Sequence, residues 1–203
     1  MDNLKRITQK NQKVKLVFEI NLPYNYLMKI TIIGNCGSGK TTLANKISEK
    51  LNIPHLQLDK LWFKYEGHKI KRGEKEKKEI ARAQLRKEVE DFIKQDSWVS
   101  DGWYKRVQPL IAEKADQIIY LDISLSRRLL NHLYRMFFTK RHSGIISRWE
   151  DVKFFYEIVR RTFDHGFKME QFVKDNEKKT IILRSYKDAE KYLEQLKNYK
   201  ALS

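Results

Sequence analysis

The sequence predicts an α/β fold, a three-layer sandwich in which a parallel sheet is covered by helices on both faces. Three observations predict it. Short apolar runs rich in isoleucine, valine and leucine alternate with segments of helical periodicity, the pattern of a parallel sheet. The first such run passes through a glycine-rich turn straight into a helix. The chain has 203 residues, 41% of them hydrophobic, which suffices for one well-packed core.

Residues 1–27 are rich in Lys and Asn and read as an N-terminal extension, either disordered or adding VKLVFEI as an edge strand; Met28 is an alternative start. The domain proper is expected over 28–203. KITIIG forms the first strand, and Lys40 to Leu51 the first helix. Pro54 to Leu58 reads as strand two, ending at Asp59. A charged stretch from Lys64 to Lys78 leads into a long helix with Ile80, Leu85, Val89, Phe92 and Ile93 on one face. Its mixed charges at helical spacing read first as a solvated surface and second as an anion-binding one. Ser97 to Ser100 is a short strand ending at Asp101-Gly102, and Gln117 to Leu121 another ending at Asp122. An Arg-rich helix and loop over about 126–148 precede a helix from about Trp149 to Lys174. Thr180 to Leu183 is the last strand, and a helix from Lys187 to Leu196 closes the domain.

The turn after strand one is GNCGSGKTT: Gly34, Asn35, Cys36, Gly37, Ser38, Gly39, Lys40, Thr41 and Thr42, with glycines, lysine and threonine in Walker A spacing. Glycines let successive N–H groups turn inward on a phosphate, and the next helix adds the positive end of its dipole. Lys40 reaches the β- and γ-phosphates, and the Thr41 hydroxyl ligates Mg²⁺. The chain is therefore expected to bind ATP with Mg²⁺ in a P-loop NTPase fold.

Other features narrow the class. A GTPase needs an Asn-Lys-x-Asp segment, but Asn45-Lys46 runs into Ile47-Ser48. A mechanical ATPase carries two adjacent acids at a strand end, whereas Gly102 follows Asp101 and Ile123 follows Asp122. Ligands of parallel α/β folds bind at the carboxyl ends of strands. There the sequence puts the glycine-rich loop, Asp59, Asp101, Asp122 and Arg184, of which Asp122 reads as an ordinary helix cap. The net charge of +16 suits a nucleotide, a phosphorylated substrate or nucleic acid, or is simply a solvated basic surface. No run approaches the ~18 apolar residues of a membrane span, so no membrane partner is expected. The single cysteine, Cys36, fits a reducing, cytoplasmic setting. The scattered histidines predict no zinc site.

GNCGSGKTTLANKISEKLNIPHLQLDKLWFK, DSWVSDGWYKR, ADQIIYLDIS, an Arg-rich lid and TIILRS together resemble the adenylate-kinase-like P-loop kinases, most closely the group of DNA topology modulation proteins. The likeness spans about Met28 to Leu196. Where adenylate kinases carry Asp-Gly-Phe-Pro-Arg, this chain has Asp101-Gly102-Trp103-Tyr104 with Arg106 one residue late, which argues against a nucleoside monophosphate acceptor. The resemblance implies a nucleotide-kinase-like enzyme that passes the γ-phosphoryl group of ATP to a small-molecule hydroxyl or phosphate. It sets Asp101 beside the glycine-rich loop, holding Mg²⁺ through water. Asp59 would bind or deprotonate the acceptor, Arg106 would grip an anionic part of it, and Arg135 and Arg141 would close the lid. Arg127, Arg128 and Arg148 compete for the lid role or form a solvated helix face. Arg184-Ser185-Tyr186 would border the adenine. Trp62, Phe63, Trp103 and Tyr104 would stack on the acceptor or pack the core. The competing expectation is a nucleic-acid-associated P-loop regulator without metabolite kinase activity; the strand-end acids and the Arg-rich lid favour the kinase.

Overall fold

The computed structural model describes residues 28–71, 73–138, 156, 159, 160, 162 and 168–201. The extension 1–27 and the lid residues 139–148, Arg141 and Arg148 among them, lie outside the described residues. The chain runs β1 (Lys29–Gly34), α1 (Lys40–Leu51), β2 (His55–Gln57), α2 (Leu58–Lys64), α3 (Lys75–Phe92), β3 (Trp98–Asp101), α4 (Gln108–Lys114), β4 (Gln117–Leu121), α5 (Leu125–Phe138), β5 (Thr180–Leu183) and α6 (Tyr186–Ala201). Residues 168–175 are helical, and Gly67–Lys69 and Glu177–Lys179 form 3₁₀ turns.

All five strands are parallel, in the order β2-β3-β1-β4-β5. The chain first leaves β1 toward β2 and β3 on one side, then crosses to β4 and β5 on the other. The crevice at the carboxyl end of β1 is therefore the topological switch point. Register sets Ile32 beside Asp101 and Gly34 beside Leu121, which brings the loop after β1 level with the ends of β3 and β4.

Alternation along β1 divides the core. Ile30 and Ile32 pack with Leu43, Ala44 and Ile47 of α1 and with Tyr192 and Leu196 of α6. Ile33 faces the opposite layer with Ile118, Tyr120, Ala112 and Met169. On that same face Trp98, fully buried, meets Leu58 and Leu61 of α2, Leu85 and Val89 of α3, and Ile111 of α4. A strand buried on both faces reads as a near-continuous apolar run, which is why the strands are so visible in the sequence.

Two expectations are corrected. Strand two is only three residues long, and Leu58 starts a helix, so Asp59 lies in the first turn of α2 and not at a strand end. Leu58 and Leu61, three apart, are both buried, and burying that pair on one stripe favours a helical turn over further extension. In α3 the buried positions are Ala81, Leu85 and Val89, and Ile80 is 53% exposed. The small alanine takes the core-facing register that the larger isoleucine suggested for itself.

The charged face of α3 is solvated and internally paired. Lys77 meets Glu74, Arg82 meets Glu79, Arg86 meets Glu90 and Lys94 meets Asp91, all at 2.6–2.7 Å. Acids are interleaved with the bases, so this face is not a continuous basic stripe. Among the described residues no helix is long and apolar enough to cross a membrane.

Candidate functional site at the carboxyl end of the sheet

Gly34 ends β1 with φ +152°, and a Cβ there would stand 2.7 Å from the Leu121 carbonyl oxygen. Only glycine lets the chain turn so tightly against β4. Gly39 caps α1 with φ +89°, and no side chain caps this helix or puts an acid in its first turn. Its first N–H groups are thus left to an external anion, and the helix dipole adds to the attraction.

Lys40 folds back into the loop and donates to the Asn35 carbonyl oxygen at 3.0 Å. Burial holds its ammonium below the ordinary lysine range, against the opposing pull of Cys36, Asp59 and Asp101. A half-buried ammonium with only a carbonyl partner gains from a phosphate oxygen. Ser38 Oγ and Asn35 Oδ1 are buried in the same loop with no hydrogen-bond partner among the described residues. A hydroxyl left unmatched inside a ring of N–H groups suits a ligand that brings acceptor oxygens. The residues present therefore fit a triphosphate.

Asp101, 4% exposed, ends β3 beside α1. Its Oδ2 accepts from Thr41 Oγ1 at 2.6 Å, and its Oδ1 faces His55 Nε2 at 2.8 Å. Asn45 Oδ1 lies 2.9 Å from the other ring nitrogen, so α1, β2 and β3 meet in one polar chain. Thr41 and Asp101 are the oxygen pair that would sit at a Mg²⁺ ion. Among the described residues no three His, Cys, Asp or Glu side chains gather as a metal cage. Mg²⁺ needs none, since it keeps several waters and takes phosphate oxygens with one or two protein groups.

Two clefts flank the loop. One, of 80 Å³, is lined by Gly34, Asn35, Cys36, Lys40, Asp59, Trp103 and Met169. Asp59 Oδ1 accepts from the Tyr104 hydroxyl at 2.8 Å, and Trp103 stands edge-on to Phe172 with ring centroids 5.2 Å apart. This is the cleft in which a carboxylate, a flat apolar surface and the loop lysine share one space. The other, of 280 Å³, lies across the loop between Ser38, Gly39, Thr42, Lys46, Asn131 and Tyr186. The Tyr186 ring would touch a Cβ at Gly39 at 3.3 Å, and Asn131 donates to its hydroxyl. Its flat, largely apolar floor suits a purine.

Several expected residues stand elsewhere. Arg184 does not line the second cleft; Tyr186, two residues on, does, because the first turn of α6 leans over the loop. The Arg184 side chain lies instead 3.9 Å from Asp122. Arg106 pairs with Glu79 on the outer surface of α3 and does not line the cleft that holds Asp59 and Trp103. Trp62 packs with the apolar cluster around Trp98 and against Gly67, and Phe63 is 58% exposed. Arg135 belongs to α5, and its side chain lies outside the described residues. Arg127 is exposed, and Arg128 is buried.

His55, Asn131 and Met169 were not legible as site residues. His55 carried one faint signal: it alternates with Leu56, so it shares its strand face with Gln57, which pairs in register with Asp101.

No protein-family model matches the chain. A curated relative, shikimate kinase from Sulfurihydrogenibium sp. (strain YO3AOP1), is 29% identical over 141 residues, which cover 66% of this chain and 85% of that enzyme. Among solved structures, shikimate kinase from Bacteroides thetaiotaomicron is 17% identical with a TM-score of 0.49, covering 84% of this chain and 96% of its own. Shikimate kinase from Acinetobacter baumannii in complex with shikimate is 16% identical with a TM-score of 0.49, covering 84% and 90%. The matched relative is a small-molecule kinase and not a topology modulation protein, which corrects the finer resemblance drawn from the sequence.

Proposed function

We propose that this ATP-dependent phosphotransferase passes the γ-phosphoryl group to a hydroxyl of a small cyclic hydroxy acid, with shikimate as the first acceptor to test. One observation carries the reading: Lys40, Asp59 and Trp103 line a single cleft against the glycine-rich loop. Transfer needs a γ-phosphate and a hydroxyl held in line, and positioning with charge stabilisation accounts for most of such catalysis. The shikimate kinase relative supports the choice of acceptor.

The geometry supports the following roles. Backbone N–H groups of the loop and of the first turn of α1 hold the phosphates. Lys40 turns from the Asn35 carbonyl to the β- and γ-oxygens and neutralises charge that grows on them in the transition state. Thr41 and Asp101 would hold a Mg²⁺ ion, which would supply charge neutralisation at the phosphates; His55 and Asn45 fix the carboxylate. Asp59, steadied by Tyr104, accepts the acceptor hydroxyl and takes its proton as the oxygen–phosphorus bond forms. Trp103 offers a face to the carbon skeleton. The second cleft takes the adenine against Tyr186.

The test is mass spectrometry of a reaction with Mg·ATP, first with shikimate and then with a metabolite extract. Shikimate should gain one phosphoryl group as ADP appears, and Lys40→Met should abolish the gain. If another metabolite gains the group and shikimate does not, the acceptor assignment fails. If ATP is consumed with no acceptor at all, the kinase reading fails as well.

A further inference from the structure

Arg128 is 1% exposed, and each edge of its guanidinium is used. Nε donates to the Ile123 carbonyl oxygen at 3.0 Å, at the turn between β4 and α5. Nη1 donates to the Cys36 carbonyl oxygen inside the glycine-rich loop at 3.2 Å. Nη2 donates to Thr162 Oγ1 at 2.9 Å, a helical residue 34 positions further along the chain than Arg128. Burying an arginine is costly unless its donors are matched, and here three elements converge to match them.

The consequence for the loop is geometric. A peptide unit is planar and trans, so its C=O and the following N–H leave on opposite edges. Arg128 holds the Cys36 oxygen toward the protein interior, which turns the Gly37 N–H to the other edge, away from the interior. Gly37 sits at φ +78°, a conformation other residues adopt only under strain. A charge-assisted bond to Cys36 is a direct way to keep that peptide turned before a ligand arrives. Arg128 also lies close enough to Lys40 to oppose its charge, so the loop is backed by one buried and one half-buried cation whose repulsion a polyphosphate would relieve.

We propose that Arg128 is a positioning residue for nucleotide binding, presetting the Gly37 peptide through the Cys36 carbonyl and coupling the glycine-rich loop to the helical segment at Thr162. This rests on reading Gly34 to Thr42 as a nucleotide phosphate site. It makes the planar three-way fork the essential feature, a geometry that lysine cannot reproduce although it keeps the charge.

Mg·ATP is the probe, with calorimetry for affinity, amide hydrogen exchange for coupling and circular dichroism to establish that each variant is folded. Wild type should bind, and binding should slow exchange both in the loop and in peptides that contain Thr162 and residues 168–175. Arg128→Lys should weaken Mg·ATP by about tenfold or more, as loss of an oriented charge-assisted bond predicts. Thr162→Val, an isosteric loss of one hydroxyl, serves if Arg128→Lys does not fold. It should keep the affinity within about threefold, since the bond to Cys36 survives, while ATP no longer slows exchange around residue 162. Wild-type affinity in a folded Arg128→Lys, or undiminished slowing at both places in Thr162→Val, would overturn the proposal while leaving the nucleotide site intact. A wild-type protein that takes up no Mg·ATP would instead remove the nucleotide reading itself.

Discussion

Asp101 offers a clean separation of fold from chemistry. It accepts from Thr41 at 2.6 Å and faces His55 at 2.8 Å in a nearly dry setting. Asp101→Ala leaves a hydroxyl and a ring nitrogen unmatched. At about 1–3 kcal/mol for each buried orphan, the loss of stability should be about 2–6 kcal/mol. Asp101→Asn is different. An amide offers one acceptor and two donors, the Thr41 hydroxyl takes either role, and the His55 ring can change tautomer against Asn45. Both contacts can therefore persist, and the stability change should stay within about 1.5 kcal/mol of wild type. The charge proposed to face Mg²⁺ is nonetheless gone, and losing one such electrostatic partner would lower kcat by about 10²–10³, or ~3–4 kcal/mol. The assay is a urea melt of each variant beside ATP turnover titrated with Mg²⁺. Asp101→Asn should melt like wild type, turn over poorly and demand more Mg²⁺. Wild-type turnover and Mg²⁺ dependence in a folded Asp101→Asn would show that the carboxylate does not serve the metal. Equal destabilisation by Asn and Ala would show that the hydrogen-bond argument is wrong.

Three further expectations follow from the geometry. Burial lowers the Lys40 pKa in the folded chain below 10.5, so its charge opposes folding at lower pH and that penalty is relieved as pH rises from the depressed value toward 10.5. A phosphate draws the proton back, so Mg·ATP affinity should fall as pH climbs through the free-protein value, by at most about tenfold per unit, and Lys40→Met should abolish that slope in calorimetric titrations. Tyr104→Phe removes the donor to Asp59 and should raise the acceptor KM by about three- to tenfold while leaving Mg·ATP affinity unchanged; a matching loss for ATP would mean that the tyrosine supports the whole site. Gly67→Ala would set a methyl 2.2–2.5 Å from Trp62 ring atoms, so it should cost about 1–3 kcal/mol in a chemical melt and shift tryptophan fluorescence; an unchanged melt would show that this turn moves freely.

The sequence by itself determined the layers and the glycine-rich loop between β1 and α1. Strands buried on both faces must be apolar along their length, and α1 and all five strands fell within about a residue or two of their expected places. The loop was legible for a local reason: Gly34 and Gly39 are required by backbone angles and contacts within a few residues of themselves and at the neighbouring strand. What lay beyond local reach was partnership. Whether Arg106 served a substrate or Glu79, whether Arg128 was solvated or buried, and whether Arg184 or Tyr186 faced the second cleft depended on the direction in which each side chain left its element. Asp59 shows the same limit, since a strand end and the first turn of a helix differ only in how Leu58 and Leu61 find the core. Charge and hydrogen bonding act across 3–4 Å of space whatever the separation along the chain, so only the tertiary structure could decide them.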